Sequence, residues 1–183
     1  MAFSDHVRRV AGEVVVGFAA GSGIYAVTFR IDSVDQDPRF PYVAIGYTTE
    51  ADVAASAGAA ASDAWEARWS YACFPPTGLE GVRAVGQETP GAAAYRREAE
   101  SRGLWYEDDE EPGERDEQLI AWFYEVCVAA ARHLHDSGLL VQVLGRPVPV
   151  ILYDMFDPDA MFALTRNANP AELASEFLTM DPA

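Results

Sequence analysis

The apolar positions of the chain fall into helix-like and strand-like segments. After Ser4, apolar residues recur every three to four positions as far as Phe18, which predicts an amphipathic first helix capped by Ser4. The segments IYAVTFRI, from Ile24, and FPYVAIGYT, from Phe40, are rich in β-branched and aromatic residues. We expect them to form two antiparallel strands joined by a long hairpin.

Two further helices are predicted in the middle of the chain. Thr49 and Asp52 have the spacing of a capping box, so an alanine-rich helix should begin there, continue to about Ser62 and resume through DAWEARW. Pro90 suits a first helical turn and predicts a helix that ends at about Arg102.

The strongest helical signal lies between Leu119 and Ala131, where Glu125 is the single charged residue. A helix that is apolar almost all round is normally buried, so we predict one long central helix in the core. Gly138 suits the left-handed position that follows a helix.

The last quarter of the chain predicts two strands, GLLVQVL and VPVILYD, and two short helices, DPDAMFALTRNA and PAELASEFLTM. Strict alternation of strand and helix is missing. The expected fold is therefore a single α+β domain over residues 1–183. It would contain a mostly antiparallel sheet of about four strands, with helices packed on one face.

Charge narrows the range of partners. The 183 residues carry a net charge of −16, and all 13 basic residues are arginines. The lack of lysine excludes a Schiff-base lysine and a P-loop lysine. The acidic balance disfavours nucleic acid and anionic membranes as partners, and it suits either a basic protein partner or simply solubility.

Other compositional features are unremarkable. Cys73 and Cys127 have neither the spacing of a zinc site nor a disulfide framework, and we expect no cofactor. Asp5 precedes the apolar stretch near the N-terminus and Glu13 interrupts it, which disfavours a signal peptide, so we expect a cytoplasmic protein.

Two clusters contain groups that could support catalysis or metal binding. His133 and His135 lie at the end of the central helix, where histidines also have an electrostatic rationale. Asp154 and Asp157 follow a strand, where they could bind a metal or simply cap the next helix. No catalytic motif is present, so we favour a non-enzymatic protein. A small-ligand or metal-dependent enzyme built from these four residues is the alternative, and a homo-oligomeric structural subunit is a third.

The most unusual segment is acidic. Residues 98–117 contain ten acidic residues and two arginines, a local charge of −8. We expect an exposed loop at about 104–117, which is either a solvated connection between helices or an interface for a basic protein. The predicted contact residues are Trp105, Tyr106, Glu107, Asp108, Asp109, Glu110 and Glu111.

Several segments together resemble a bacterial family described as domain of unknown function 4303. They are IYAVTFRID, YVAIGYTTEAD, ARWSYACF, FYEVCVAAARHLHDSGLL, VPVILYD and NANP, in this order. The resemblance implies an accessory or immunity protein of a bacterial toxin system and offers no catalytic residues. We therefore expect a protein-binding domain, and the resemblance implies an immunity protein that neutralises a basic toxin domain.

Overall fold

A computed structural model describes residues 2–18, 23–57, 61–79, 82–85 and 90–180. The sequence Gly21-Ser22-Gly23 predicts the end of the first helix and a turn, but Gly21 and Ser22 lie outside these residues. The strands are β1 (Ile24–Ser33), β2 (Pro41–Thr49), β3 (Val82–Val85) and β4 (Val150–Asp154). The helices are α1 (Phe3–Val16), α2 (Glu50–Ser56), α3 (Ala64–Trp69), α4 (Pro76–Leu79), α5 (Pro90–Ser101), α6 (Arg115–Asp136), α7 (Leu139–Leu144), α8 (Ala160–Ala168) and α9 (Ala171–Ala174).

The strands form a mixed sheet in the order β3-β2-β1-β4. Strand β2 is antiparallel to both β1 and β3, whereas β1 and β4 are parallel. The α+β class is confirmed, but the sheet differs from the predicted mostly antiparallel arrangement. Strand β4 is parallel to β1 because of the long connection that precedes it. Helices α5, α6 and α7 lie between β3 and β4 in the sequence and bring the chain back to the edge opposite β3, where β4 runs in the same direction as β1.

Apolar side chains cover both faces of the sheet. One face, with Val27, Phe29 and Leu152, packs under α1, α5 and α6. The opposite face, with Ile151 and Tyr153, packs against a smaller cluster that includes Trp69, Phe74 and Phe177. Adjacent β4 residues belong to different clusters because successive strand side chains point to opposite faces. The expectation of helices on one face only is therefore wrong.

The predicted central helix is confirmed as α6, which is 22 residues long. Its buried side chains include Leu119, Phe123, Cys127 and Leu134, all at most 2% exposed. Burial raises the pKa of the Cys127 thiol, which keeps it protonated and unreactive.

Three local predictions are also confirmed. The Thr49 side chain and the Asp52 side chain form a reciprocal capping box at the start of α2. Gly138 follows α6 with φ +71°, a conformation that glycine adopts without steric cost. Helix α5 begins at Pro90.

The segment GLLVQVL is a helix, α7, and not the predicted strand. Positive-φ glycines lie on either side of it, at Gly138 and Gly145, and leave six residues between them. Leu140 is buried while Val141 is 49% exposed, and the helix packs beside α1. This tertiary packing overrides the β-propensity of Val141 and Val143.

Two helix boundaries also differ from the prediction. Helix α1 begins at Phe3, and the Phe3 N–H donates to Glu98 Oε2 at 3.0 Å, so a carboxylate of α5 replaces the expected Ser4 cap. Helix α2 ends at Ser56 and does not continue to Ser62.

Helix α8 covers the outer edge of β4 with two side chains. Thr165 Oγ1 accepts from the Leu152 N–H at 3.1 Å and donates to the Leu152 carbonyl at 3.2 Å. The Asn169 amide, just after α8, accepts from the Val150 N–H and donates to the Val150 carbonyl, both at 2.7 Å. The side chains therefore satisfy backbone groups that an edge strand would otherwise expose.

Candidate binding surface

The connection between α5 and α6 begins by turning inward. Gly103 adopts φ +73°, and the Leu104 N–H donates to the Ala99 carbonyl at 2.9 Å, which ends α5. The following Trp105 is half-buried, with its ring centre 6.0 Å from that of Phe40 in an edge-to-face arrangement. The exposed part of this connection is therefore narrower than the predicted 104–117.

Tyr106 is buried in the main core and is only 7% exposed. Its hydroxyl donates to Asp116 Oδ1 at 2.5 Å, and burial together with this carboxylate raises the Tyr106 pKa. The guanidinium carbons of Arg39 and Arg115 lie 4.5 Å and 5.0 Å from its ring centre. Tyr106 is thus a core residue that fixes the position of the loop. This burial does not suit the predicted role of Tyr106 as a partner-contact residue on the surface.

Arg39 connects this loop to the β1–β2 hairpin. Its Nη1 donates to Asp108 Oδ1 at 2.8 Å and to the Tyr106 carbonyl at 3.2 Å. Its Nη2 donates to Asp37 Oδ2 at 2.6 Å. The side chain is 12% exposed, and the hydrogen bonds to Asp37 raise its pKa further above the usual range.

Arg96 and Arg115 hold two further carboxylates. The Arg96 guanidinium carbon lies 4.5 Å from the Trp105 ring centre, and its Nη2 donates to Glu107 Oε1 at 2.9 Å. Arg115 Nη1 donates to Glu110 Oε2 at 3.0 Å. We call residues Glu107–Glu111 the acidic run, and three of its five carboxylates are paired with arginines.

The other two carboxylates of the acidic run face solvent. Asp109 and Glu111 are exposed and form no ion pair with any residue that the structure describes. Glu114 and Glu117, also exposed, extend the negative surface to the first turn of α6. The loop therefore presents unpaired charge next to carboxylates that arginines of the β1–β2 hairpin, α5 and α6 hold in place.

A cavity of about 180 Å³ opens where the parallel strands β1 and β4 end, between the β1–β2 hairpin and α6. We call it the strand-end pocket. Its apolar walls include Ile31, Pro38, Leu119, Ile120, Phe123 and Phe156. Its polar lining includes Asp32, Ser33, Gln36, Tyr124 and Asp154.

The two aspartates of the strand-end pocket differ in their partners. Asp32 Oδ2 accepts from the Tyr42 hydroxyl at 2.6 Å and lies 3.8 Å from Arg30 Nη2. Asp154 Oδ2 accepts from the Tyr124 hydroxyl at 2.9 Å, and its Oδ1 accepts from the Phe156 N–H at 2.8 Å. Within the described part of the chain, Asp154 has no cationic partner.

The alternative site built from histidines and aspartates is not assembled. His135 Nε2 lies 3.0 Å from Asn169 Oδ1, which also accepts from the Val150 N–H at the start of β4. Asp154 lies at the other end of β4, and the usual rise per strand residue places it about 13 Å from Val150, so it is not next to His135. His133 is exposed, and Asp157 accepts from the Ala160 N–H at 3.3 Å, as expected for a cap.

Among the residues described, no group of three or more His, Cys, Asp or Glu side chains is arranged to hold a metal ion. The pKa of His135 is lowered by burial, with the Asn169 contact opposing that shift. None of the helices in the described ranges is both long and apolar enough to cross a membrane.

Comparison with known proteins adds no relative. No family model, no curated protein and no solved structure matches the chain. The resemblance to domain of unknown function 4303 therefore stays a prediction.

Sequence reasoning missed the residues that organise this surface. Arg39 and Arg96 are two of 13 arginines, and both are distant in sequence from the carboxylates that they pair with in the acidic run. No local sequence pattern therefore predicts these ion pairs. The position of Asp154 at the end of a strand is visible in the sequence, but no local pattern links it to Tyr124, its hydrogen-bond donor on α6. The parallel pairing of β1 and β4, which would have indicated a pocket at their ends, was not predicted.

Proposed function

We propose that this protein is a non-enzymatic, cytoplasmic binding domain that uses the acidic run to recognise a basic protein. The resemblance described above implies a particular partner, a basic bacterial toxin domain that the protein would neutralise as an immunity protein. The observation that carries the proposal is the arrangement of the acidic run. Arg39, Arg96 and Arg115 pair with the side chains of Asp108, Glu107 and Glu110, and Arg115 also donates to the Glu111 carbonyl, while Asp109 and Glu111 carry unpaired charge into solvent.

Such an arrangement suits binding for two physical reasons. A loop that is already ordered loses less conformational entropy when a partner docks. A net charge of −16 also attracts a positively charged protein over distance and raises its association rate, an effect that salt weakens. Stability alone does not require Asp109 and Glu111 to be acidic, because neither forms an ion pair in the described part of the chain.

The structure also selects the variants that test this function. Asp108 and Glu110 pair with arginines, so reversing their charge would disturb the scaffold as well as the surface. Asp109→Lys with Glu111→Lys changes the surface charge alone. The matched control is Asp136→Lys with Glu172→Lys, two exposed acidic residues outside the acidic run.

The experiment is capture of proteins from the source cells at low and at moderate salt, followed by association kinetics with the purified captured protein. We expect a basic protein that wild type and the control variant capture equally. The Asp109/Glu111 variant should associate at least tenfold more slowly at low salt, with a weaker salt dependence. Equal association rates for the two variants would reject the acidic run as the binding surface.

A further inference from the structure

We propose that the strand-end pocket receives a lysine or arginine side chain of the partner, with Asp154 as its counter-charge. This inference rests on the proposed function for the basic character of the partner. Beyond the acidic run, the inference assigns a second contact point of the interface, at which one cationic side chain of the partner is bound.

The size of the pocket favours a single side chain over a metabolite. Its volume is about 180 Å³. Pockets for drug-sized ligands usually occupy about 300–1,000 Å³, so the strand-end pocket is smaller than that class requires. The slender stem and compact head of a lysine or arginine suit this smaller space.

The chemistry of the pocket matches a cation on an apolar stem. Each Asp154 oxygen accepts one hydrogen bond, from Tyr124 or from the Phe156 backbone, and a carboxylate has about four acceptor positions. Asp154 therefore retains acceptor capacity and negative charge. The Phe156 side chain is 63% exposed and Ile120 is 41% exposed, and both offer apolar surface to a long aliphatic stem.

One segment of the β1–β2 hairpin, residues 36–39, contacts both the pocket and the acidic run. Gln36 and Pro38 line the pocket, while Arg39, from the same short segment, pairs with Asp37 and donates to Asp108 of the acidic run. A basic segment that places one side chain in the pocket would therefore pass beside the exposed carboxylates.

The test uses three blocked amino acids with free side chains: Nα-acetyl-arginine amide, Nα-acetyl-lysine amide and Nα-acetyl-citrulline amide. Citrulline has nearly the shape of arginine without its charge. Binding is followed at millimolar concentrations by ¹H–¹⁵N chemical-shift titration of the full chain. We expect the arginine or lysine probe to shift the backbone amide signals of Tyr124, Asp154 and Phe156, with citrulline at least tenfold weaker.

Asp154→Asn keeps the shape and one acceptor oxygen, and it should reduce the affinity for the cationic probe to that for citrulline. Asp136→Asn is the control of equal charge change at the other end of α6. Phe156→Ala, at an exposed side chain, should weaken binding severalfold and remains informative if Asp154→Asn does not fold. Equal binding of citrulline and arginine, or shifts confined to the acidic run, would overturn the inference.

The two proposals fail in different ways. Loss of partner binding in the Asp109/Glu111 variant with full binding in Asp154→Asn would reject the pocket and keep the acidic run as the interface. Full binding in both variants would reject both.

Discussion

The guanidinium carbon of Arg39 lies 4.5 Å from the ring centre of Tyr106, and the two residues join segments that are 67 positions apart in the sequence. The same guanidinium binds Asp37 on its own hairpin and Asp108 on the acidic run. One largely buried cation therefore connects the hairpin, the core and the candidate binding surface.

Arg39→Met should lower the free energy of unfolding by about 2 kcal/mol, because hydrogen bonds to charged groups are lost and Asp37 loses its cation. Urea denaturation measures this difference. Arg8→Met is the control, since Arg8 forms an exposed pair with Asp5 at 3.5 Å and should cost under about 0.5 kcal/mol. Equal costs for the two variants would show that Arg39 does not organise the structure.

The Arg39–Asp37 pair also predicts a dependence on pH. Burial opposes ionisation of Asp37, but the hydrogen bonds from Arg39 outweigh it and lower the pKa below its usual 3.8. The folded state therefore gains stability that is fully present above pH 3.8 and is lost as the pH falls through the lower folded-state value.

The difference in unfolding free energy between wild type and Asp37→Asn should accordingly be constant from about pH 8 to 5 and shrink below about pH 4. Denaturant titrations at a series of pH values measure it. The control is Asp109→Asn, which removes an exposed carboxylate. Its difference in unfolding free energy from wild type should be near zero at every pH. A difference for Asp37→Asn that is as large at pH 3 as at pH 7 would contradict the assignment.

Elements with strong local signals could be predicted from the sequence. The apolar character of Leu119–Ala131 identified α6, and Thr49 and Asp52 identified the cap of α2. Residues 139–144 could not be assigned in this way, because the β-propensity of Val141 and Val143 is overridden by packing beside α1.

The candidate surface was predictable only in part. The charge of the acidic run is a property of consecutive residues and was visible. The inward position of Tyr106 depends on Arg39 and Asp116, and the pocket depends on the pairing of β1 with β4. These are contacts between distant segments, and a single sequence carries no direct signal for them.

Asn169→Ala should destabilise the protein by about 3 kcal/mol. The change removes hydrogen bonds to both backbone groups of Val150 and to the Thr165 carbonyl and leaves those groups without their partner. Hydrogen exchange of the Val150 amide should accelerate, whereas Asn167→Ala, an exposed position on α8, should leave both measurements unchanged. Slow exchange at Val150 in the Asn169 variant would show that another group protects this edge.

Two glycine substitutions should have opposite signs. A Cβ at Gly46 would lie 2.0 Å from the Thr77 carbonyl oxygen, so Gly46→Ala should cost about 3 kcal/mol or more as α4 is displaced from β2. A Cβ at Gly12, inside α1, would meet Leu139 at an ordinary 3.5 Å. Gly12→Ala should therefore stabilise by about 0.5–1 kcal/mol through the helix backbone. Thermal unfolding of both variants checks the signs, and similar midpoints would contradict the close approach at Gly46.

The cover that α8 places on β4 limits how a partner can be recognised. An extended peptide that joins a sheet as an additional strand needs free N–H and C=O groups along an edge. On β4 those of Val150 and Leu152 already bind the side chains of Asn169 and Thr165. On this side of the molecule, a partner must therefore be recognised through the shape and charge of its side chains. The partner's backbone does not need to be extended, because it does not pair with the sheet.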